Sequence, residues 1–526
     1  MKVLATDNLA EEGIELLRGS PDITVDVRPR LELQELIKRI GEYDALLVRS
    51  ATKVTKEVIE AGKNLKVIGR AGVGVDNIDV KAASKKGIVV MNTPGGNTIS
   101  AAEHTMSMLL ALSRSIPQAN LSLKSKQWEK KKFLGTEVFK KTLGIIGLGR
   151  IGGEVAKRAQ SFGMEIIAYD PYISKTHARE LGVKLVSFPE LITQADYITV
   201  HVPLTPETKY LINKETISKM KDGVKIINCA RGGIIDESAL AEAVKSGKVS
   251  GAALDVFESE PPFDSPVLGL ENIIVTPHLG ASTEEAQINV AREIAMQVLD
   301  FLKQGIVRNA VNMPELGPEK MKILGPYIDL CEKLGKLQAQ ISEGGFTQID
   351  IQYSGEILHY EIKPLTIALL KGLLEPILER EVNFVNAPLI AEERGIKVTE
   401  SKVSKVEDFA NLIIVQAVTE KGENLVAGTL LSSKEPRLVR IGEFDLDVIP
   451  EGYMLLCSNL DKPGVIGKIG TILGNKKINI AGMQVGRKTA GGRALIVINI
   501  DCNVPPEVLR EIEGIPEIVA VKMINL

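Results

Sequence analysis

Arg231, Glu260 and His278 have the side-chain types needed to take a proton from a hydroxyl group while its carbon gives up a hydride. A histidine titrates near neutrality and can accept that proton. A carboxylate beside the imidazole holds its orientation and stabilises the imidazolium that forms. An arginine fork grips a neighbouring carboxylate on two prongs and polarises the reacting oxygen. Each residue stands just past a segment that reads as a strand: Arg231 after KIINCA, Glu260 after GAALDVF and His278 after NIIVTP. In open parallel sheets, ligand and catalytic groups collect at those carboxyl ends. Taken singly, each is better read as an ordinary turn residue, loop acid or strand-end histidine. Three complementary types at equivalent places reverse that preference.

A second constellation points to a dinucleotide. LGIIGLGRIG holds Gly147-x-Gly149-x-x-Gly152 between an apolar run and a helical pattern. The first glycine permits a tight turn, the second lets the backbone approach a pyrophosphate, and the third lets the helix pack closely on the strand. Asp170 ends the next apolar run, EIIAYD, 18 residues past Gly152. A carboxylate there accepts hydrogen bonds from ribose hydroxyls and repels a 2′-phosphate, so NAD is expected rather than NADP. Among the other histidines, His201 follows the strand YITVHVP and is expected near this cofactor. His104 lies early in a helix, His177 in a charged helical stretch, and His359 outside the nucleotide domain.

These groups need a scaffold of alternating strands and helices. MKVLAT, ITVDV, ALLVRS, KVIGRAG and IVVMNT read as strands, with helices at LAEEGIELL, LELQELIKRI and KEVIEAG between them. Such alternation predicts an α/β domain with a parallel sheet. NTISAAEHTMSMLLALSRSIPQA reads as one long helix that Asn97 or Thr98 could cap. A second α/β domain begins at KTLGIIG and ends before the long helix EEAQINVAREIAMQVLDFLKQG, which returns the chain to the first. Near Val311–Pro314 the pattern changes to antiparallel strands with tight turns and two helices, an α+β domain. After Pro450 the order is β-α-β-β-α-β, a ferredoxin-like unit. The expected fold class is therefore α/β, two doubly wound parallel-sheet domains (one of Rossmann type), followed by the α+β and ferredoxin-like units. The expected spans are 1–98 with 285–311, then 99–284, 312–450 and 451–526.

Composition narrows the class of protein. A chain of 526 residues suggests about three or four domains. Sixty-four basic and 67 acidic residues give a net charge of -3 without a long single-sign block, against a nucleic-acid or membrane-surface partner. Cys229, Cys331, Cys457 and Cys502 form no CxxC pair, which suits a reducing compartment. The first residues lack the pattern of a signal peptide, and no apolar run reaches the ~18 residues of a membrane span. A cytoplasmic protein without a metal is expected.

GLGRIG, CARGGIIDESAL, ALDVFESEPP and PHLGAS together resemble the D-isomer-specific 2-hydroxyacid dehydrogenase family. VRSATKVT, GRAGVGVDNID and NTPGGNT extend the resemblance through the first domain. It covers nearly the whole chain and is strongest to members with an intervening domain and a C-terminal ACT effector-binding domain. The resemblance implies that Arg231, Glu260 and His278 are the catalytic trio. It implies a substrate-binding first domain and an NAD-binding second one. NAD contacts would come from Val73, Arg150, Ile151, Asp170, Val202, Cys229, Ala230, Arg231, Asp255, His278, Leu279, Gly280 and Ala281. Arg49, Ser50, Arg70, Gly74 and Asn97 would contact the substrate, implied to be D-3-phosphoglycerate. Two fixed cations besides Arg231 suit a substrate with both phosphate and carboxylate.

Lys130, in the basic stretch KQWEKKKF, would approach the substrate of a neighbouring subunit. In LLCSNLDKPGVIG, Asp461 reads as a helix cap with Pro463 at the helix start. The resemblance instead offers Asn459, Asp461 and Asn479 as contacts for a small amino acid, with L-serine as the expected effector. The implied activity opens L-serine biosynthesis, in a homo-oligomer expected to be a tetramer. Two other readings stand beside it: an enzyme for an unphosphorylated 2-hydroxy or 2-oxo acid, and a non-catalytic NAD-sensing scaffold.

Overall fold

The central apolar runs of the first two domains are buried on both faces, and such strands pair in parallel with helices above and below. The computed structural model describes residues 1–526 apart from residues 30, 315–316, 380, 405–408 and 433, and it contains four sheets in succession. The first comprises β1 (Lys2–Thr6), β2 (Thr24–Arg28), β3 (Ala45–Val48), β4 (Val67–Arg70) and β5 (Val89–Met91). Its helices are α1 (Glu11–Arg18), α2 (Leu33–Arg39), α3 (Lys56–Ala61) and α4 (Val80–Lys85). All strands are parallel in the order β2-β1-β3-β4-β5.

The chain leaves this sheet through α5 (Thr98–Arg114) and α6 (Ile116–Lys124). The single long helix expected here is thus two. Ser115 between them adopts φ 47. Pro117 cannot donate to the carbonyl of Ser113, and its ring would crowd that oxygen. The Ser113 carbonyl accepts from the Thr136 N–H instead, at 2.9 Å.

The second sheet holds β6 (Thr142–Ile146), β7 (Glu165–Tyr169), β8 (Lys184–Leu185), β9 (Tyr197–Val200), β10 (Val224–Asn228), β11 (Val249–Leu254) and β12 (Ile273–Val275). Helices α7 (Arg150–Ser161), α8 (Lys175–Glu180), α9 (Phe188–Gln194), α10 (Lys214–Lys219) and α11 (Glu237–Lys245) connect its first six strands. The order is β12-β11-β10-β9-β6-β7-β8, all parallel. The winding reverses between β6 and β9, and ligands of doubly wound sheets bind at that crevice. Helix α12 (Glu284–Gln304) then returns to the first sheet, where Val290, Ile294 and Val298 join its core.

The third sheet contains β13 (Phe346–Gly355), β14 (Lys397–Val403), β15 (Asn411–Thr419), β16 (Gly422–Leu431), β17 (Glu435–Ile441) and β18 (Phe444–Val448), packed on α13 (Pro318–Ile341) and α14 (Lys363–Leu374). It departs from the antiparallel expectation at β13, which pairs in parallel with β14. The linking segment includes a further short helix, α15 (Ala387–Glu393). β14 is an edge strand exposed along nearly its whole length, so it carries no apolar alternation that would announce it.

The fourth sheet is antiparallel, in the order β20-β21-β19-β22, from β19 (Tyr453–Leu460), β20 (Ile480–Arg487), β21 (Arg493–Ile500) and β22 (Ile518–Asn525). Helices α16 (Val465–Asn475) and α17 (Pro506–Glu513) share its core, completing the ferredoxin-like order. Asp461 does not cap α16. That helix starts after Gly464 at φ 92, and Asp461 accepts from Arg487 Nη1 at 2.7 Å and the Gly491 N–H at 3.2 Å. Among the described residues no helix is long and apolar enough to cross a membrane, and no His, Cys, Asp and Glu group is arranged to hold a metal.

Candidate active site

The carboxyl ends of the first two sheets face each other across a cleft with a cavity of about 420 Å³. The strand ends of the second sheet deliver Gly147, His201, Cys229 to Arg231, Asp255 and His278 to the same side. Of the expected cofactor residues, Val73, Ile151, Val202, Cys229 and Ala230 line the cavity. Arg231, Asp255, His278, Gly280 and Ala281 line it too, with Gly74 and Asn97 from the expected substrate set. Gly149 and Arg150 line a groove that continues past Leu148 along α7. Arg49, Ser50, Arg70 and Leu279 lie off the cavity wall.

His278 and Glu260 meet. Nδ1 of His278 lies 2.8 Å from Oε2 of Glu260. His278 adopts φ 55, a strained value for a residue with a side chain. Its N–H is held by the carbonyls of Asp255 at 2.9 Å and Thr276 at 3.0 Å, which fixes the tight turn. Burial raises the Glu260 carboxyl, but the His278 hydrogen bond and charge outweigh it and hold the group below the usual carboxylate range. The loop carrying Glu260 is clamped by Glu237, which the sequence reading missed. Glu237 Oε1 accepts from the Glu258 N–H at 2.6 Å, Glu258 Oε1 accepts from the Glu237 N–H at 3.0 Å, and Ser265 Oγ donates to Glu237 Oε2. Only its proximity to CARGG could have marked it.

Arg231 spans the cleft. Its Nη1 donates to the Ala230 carbonyl at 2.7 Å, and its Nε lies 3.4 Å from Asp76 Oδ2 of the first domain. A Cβ at Gly74 would collide with the Arg231 guanidinium, so glycine there clears its path. Arg70 is half-buried, and its buried Nε has no partner. Burial first, then the charge of Arg231 with a smaller share from Arg49, pushes its pKa down to about 10. It remains a cation at neutral pH, and crowded guanidiniums of this kind are relieved by an anion. Asn97, at the start of α5, makes no capping bond, and its Oδ1 is buried without a partner. Buried polar atoms are normally paired, so both atoms keep hydrogen-bonding capacity that the protein does not use. Ser50 is exposed beside Arg49. Burial lowers His201 to about 4, leaving it neutral, and raises the Cys229 thiol to about 12, leaving it protonated.

The glycine loop fits a dinucleotide. Gly147 adopts φ 92, and a Cβ there would approach the His201 carbonyl oxygen to 2.5 Å. A Cβ at Gly152 would overlap the Gly147 carbonyl oxygen, whereas one at Gly149 would meet nothing within 4 Å. The free space thus lies where a pyrophosphate crosses the start of α7. Asp170 follows β7, and its carboxylate accepts from the N–H groups of Leu148 at 2.9 Å and Tyr172 at 2.8 Å. It braces the same loop.

The chain is 48% identical over 526 residues to a D-3-phosphoglycerate dehydrogenase of Synechocystis sp., covering 99% of this chain and 95% of that one. It is 48% identical over 527 residues to a D-3-phosphoglycerate dehydrogenase of Methanocaldococcus jannaschii, covering all of both. The chain belongs to the D-isomer-specific 2-hydroxyacid dehydrogenase family. Residues 106–280 of this dehydrogenase match the family's NAD binding domain. Residues 323–442 match the D-3-phosphoglycerate dehydrogenase intervening domain, and residues 453–517 the ACT domain. The D-lactate dehydrogenase of Aquifex aeolicus, solved with NAD and lactic acid, superposes with a TM-score of 0.54 at 32% identity, covering 60% of this chain and all of that one. NAD is the cofactor of this family domain, and the glycine loop described above suits it.

Proposed function

We propose that this dehydrogenase oxidises D-3-phosphoglycerate at C2 to 3-phosphohydroxypyruvate with NAD, opening L-serine synthesis. The observation that carries this reading is the His278–Glu260 pair at 2.8 Å, on a cavity that Arg231 also lines. With Nδ1 committed to Glu260, Nε2 of His278 is the nitrogen left to take the hydroxyl proton. Glu260 stabilises the imidazolium that results. Arg231 clamps the substrate carboxylate and the oxygen becoming a carbonyl, exchanging its long contact to Asp76 for a shorter one. Arg49, Ser50, Arg70, Gly74 and Asn97 hold the phosphate end and the rest of the substrate. NAD, when bound, supplies the hydride acceptor. Closure of the cleft excludes water from these groups.

The test is NADH formation with D-3-phosphoglycerate beside D-lactate and D-glycerate. A kcat/KM at least about tenfold higher for the phosphorylated acid is expected, the value of one charge-assisted contact. Equal values would remove the phosphate assignment, and no NADH from any acid would favour the scaffold reading.

The regulatory proposal is that L-serine binds near Asn459, Asp461 and Asn479. Asn459 is buried, donates Nδ2 to the Leu460 carbonyl at 2.9 Å and keeps Oδ1 unpartnered, which supports a ligand there. A ligand ammonium would compete with Arg487 for Asp461, while Asn479 is paired with Asp501 at 2.9 Å. The homo-oligomer proposal is supported by the arm after α5, where Leu121, Trp128 and Leu134 are 66%, 82% and 92% exposed. Large apolar side chains this exposed along one segment suit cover by a second subunit, and Lys130 lies in the same segment. A tetramer and a cytoplasmic location belong to this same proposal.

A further inference from the structure

Helix α5 starts at the substrate side of the cleft and runs beneath the loop that carries His278. Asn97, Ser100 and His104 lie at i, i+3 and i+7, on one face of it. Ser100 Oγ donates to the Gly280 carbonyl at 2.9 Å, a buried bond. His104 Nε2 lies 3.1 Å from Asp255 Oδ1 and 3.2 Å from Thr276 Oγ1. Thr276 Oγ1 donates to Asp255 Oδ1 at 2.6 Å, so the proton between His104 and the carboxylate sits on Nε2. Asp255 is fully buried and accepts the N–H groups of Leu279 at 2.7 Å and Gly280 at 2.8 Å. Its own carbonyl accepts the N–H of His278. The bonds of Ser100 and Asp255 end on the strained turn that carries the imidazole, and those of His104 and Thr276 end on Asp255.

We propose that His104 is a positioning residue for the dehydrogenase reaction, assisted by Ser100. It holds the Asp255 carboxylate, which in turn clamps the Leu279–Gly280 peptide and sets the direction of His278. This rests on the reading of His278 as the base. Without His104 the carboxylate keeps the Thr276 hydroxyl and the two N–H groups but loses the donor that fixes it from the α5 side, so at this depth it shifts to recover a partner and carries the Leu279–Gly280 peptide with it. The turn at φ 55 persists only while its surroundings over-determine it. Loosening it displaces the imidazole, and misplacement of a reacting group by about 1 Å costs as much as 10²-fold in rate. The reach of α5 also ties this clamp to Asn97 at the substrate side, so one rigid element sets both ends of the site.

The test uses the full-length enzyme. His104→Ala is expected to lower kcat by about 10- to 100-fold while KM for D-3-phosphoglycerate stays within about twofold. Amide hydrogen exchange at Leu279 and Gly280 is expected to quicken by about tenfold or more. His104→Gln, whose amide nitrogen can reach the same carboxylate, restores both measures to within about threefold of wild type. Ser100→Ala, a milder change, lowers kcat by about two- to tenfold with the same unmoved KM. Wild-type exchange and turnover in His104→Ala would overturn the proposal. So would a loss that glutamine does not restore, which marks a packing role alone. Failure of the base assignment reads out separately, as full turnover by His278→Ala, because the exchange rates do not depend on catalysis.

Discussion

Gly149→Ala and Gly152→Ala differ by one position class in the same loop, and the structure assigns them opposite consequences. Gly149 has φ -75 and ψ -155, a conformation open to any residue, and an added methyl there touches nothing within 4 Å. The folded protein should tolerate it, with stability unchanged or raised by about 0.4–1 kcal/mol through the unfolded chain. The methyl enters the space left for the pyrophosphate at the start of α7. Each charge-assisted hydrogen bond it lengthens is worth about 1.5–3 kcal/mol, so the Kd for NADH should rise by about 10- to 100-fold. At Gly152 the methyl overlaps the Gly147 carbonyl oxygen, and α7 must move away from β6. That overpacking should cost about 1–3 kcal/mol of stability. Fluorescence titration with NADH, paired with urea unfolding of each variant, separates the two effects. Wild-type NADH affinity in Gly149→Ala would refute the placement of the pyrophosphate, and a fully stable Gly152→Ala would refute the packing argument.

Asp170→Ala should weaken the preference for NAD over NADP, read as the ratio of kcat/KM values; an unchanged ratio would place the acid away from the ribose. Arg70→Ala should raise KM for D-3-phosphoglycerate by about 10- to 100-fold and leave that for an unphosphorylated acid within about threefold, and an equal rise for both would remove the phosphate contact. For Asp255, burial raises the carboxyl, but the bonds from His104, Thr276 and Leu279 outweigh it and hold it below the usual range. A depressed folded-state value means stability that is complete above about pH 4 and lost as pH falls below it. The urea-midpoint difference between wild type and Asp255→Asn should therefore shrink as pH falls below about 4; a difference that grows below that pH would contradict the bonding pattern.

The meeting of Glu260 and His278 beside the cavity that Arg231 lines was legible because all three follow apolar runs, past strand ends where a polar side chain has no packing reason to stand. The glycine loop was legible because each of its glycines answers a separate steric demand. Glu237, Asp76, Ser100 and His104 were not, since each acts on the site from another element and nothing in local spacing links His104 to Asp255. The edge strand β14 lacks alternation because neither of its faces is buried. The break after α5 has its cause in Pro117, which the helical pattern on either side conceals. Asp461 was misread because an acid two residues before a proline mimics a cap, whereas the chain needs Gly464 at φ 92 before α16 can begin.

The most direct measurement is turnover of D-3-phosphoglycerate by His278→Ala, with NADH affinity determined on the same preparation. A fall in kcat of about 10²- to 10⁴-fold with NADH bound as in wild type is the predicted result. Undiminished turnover would contradict the assignment of the imidazole as the base.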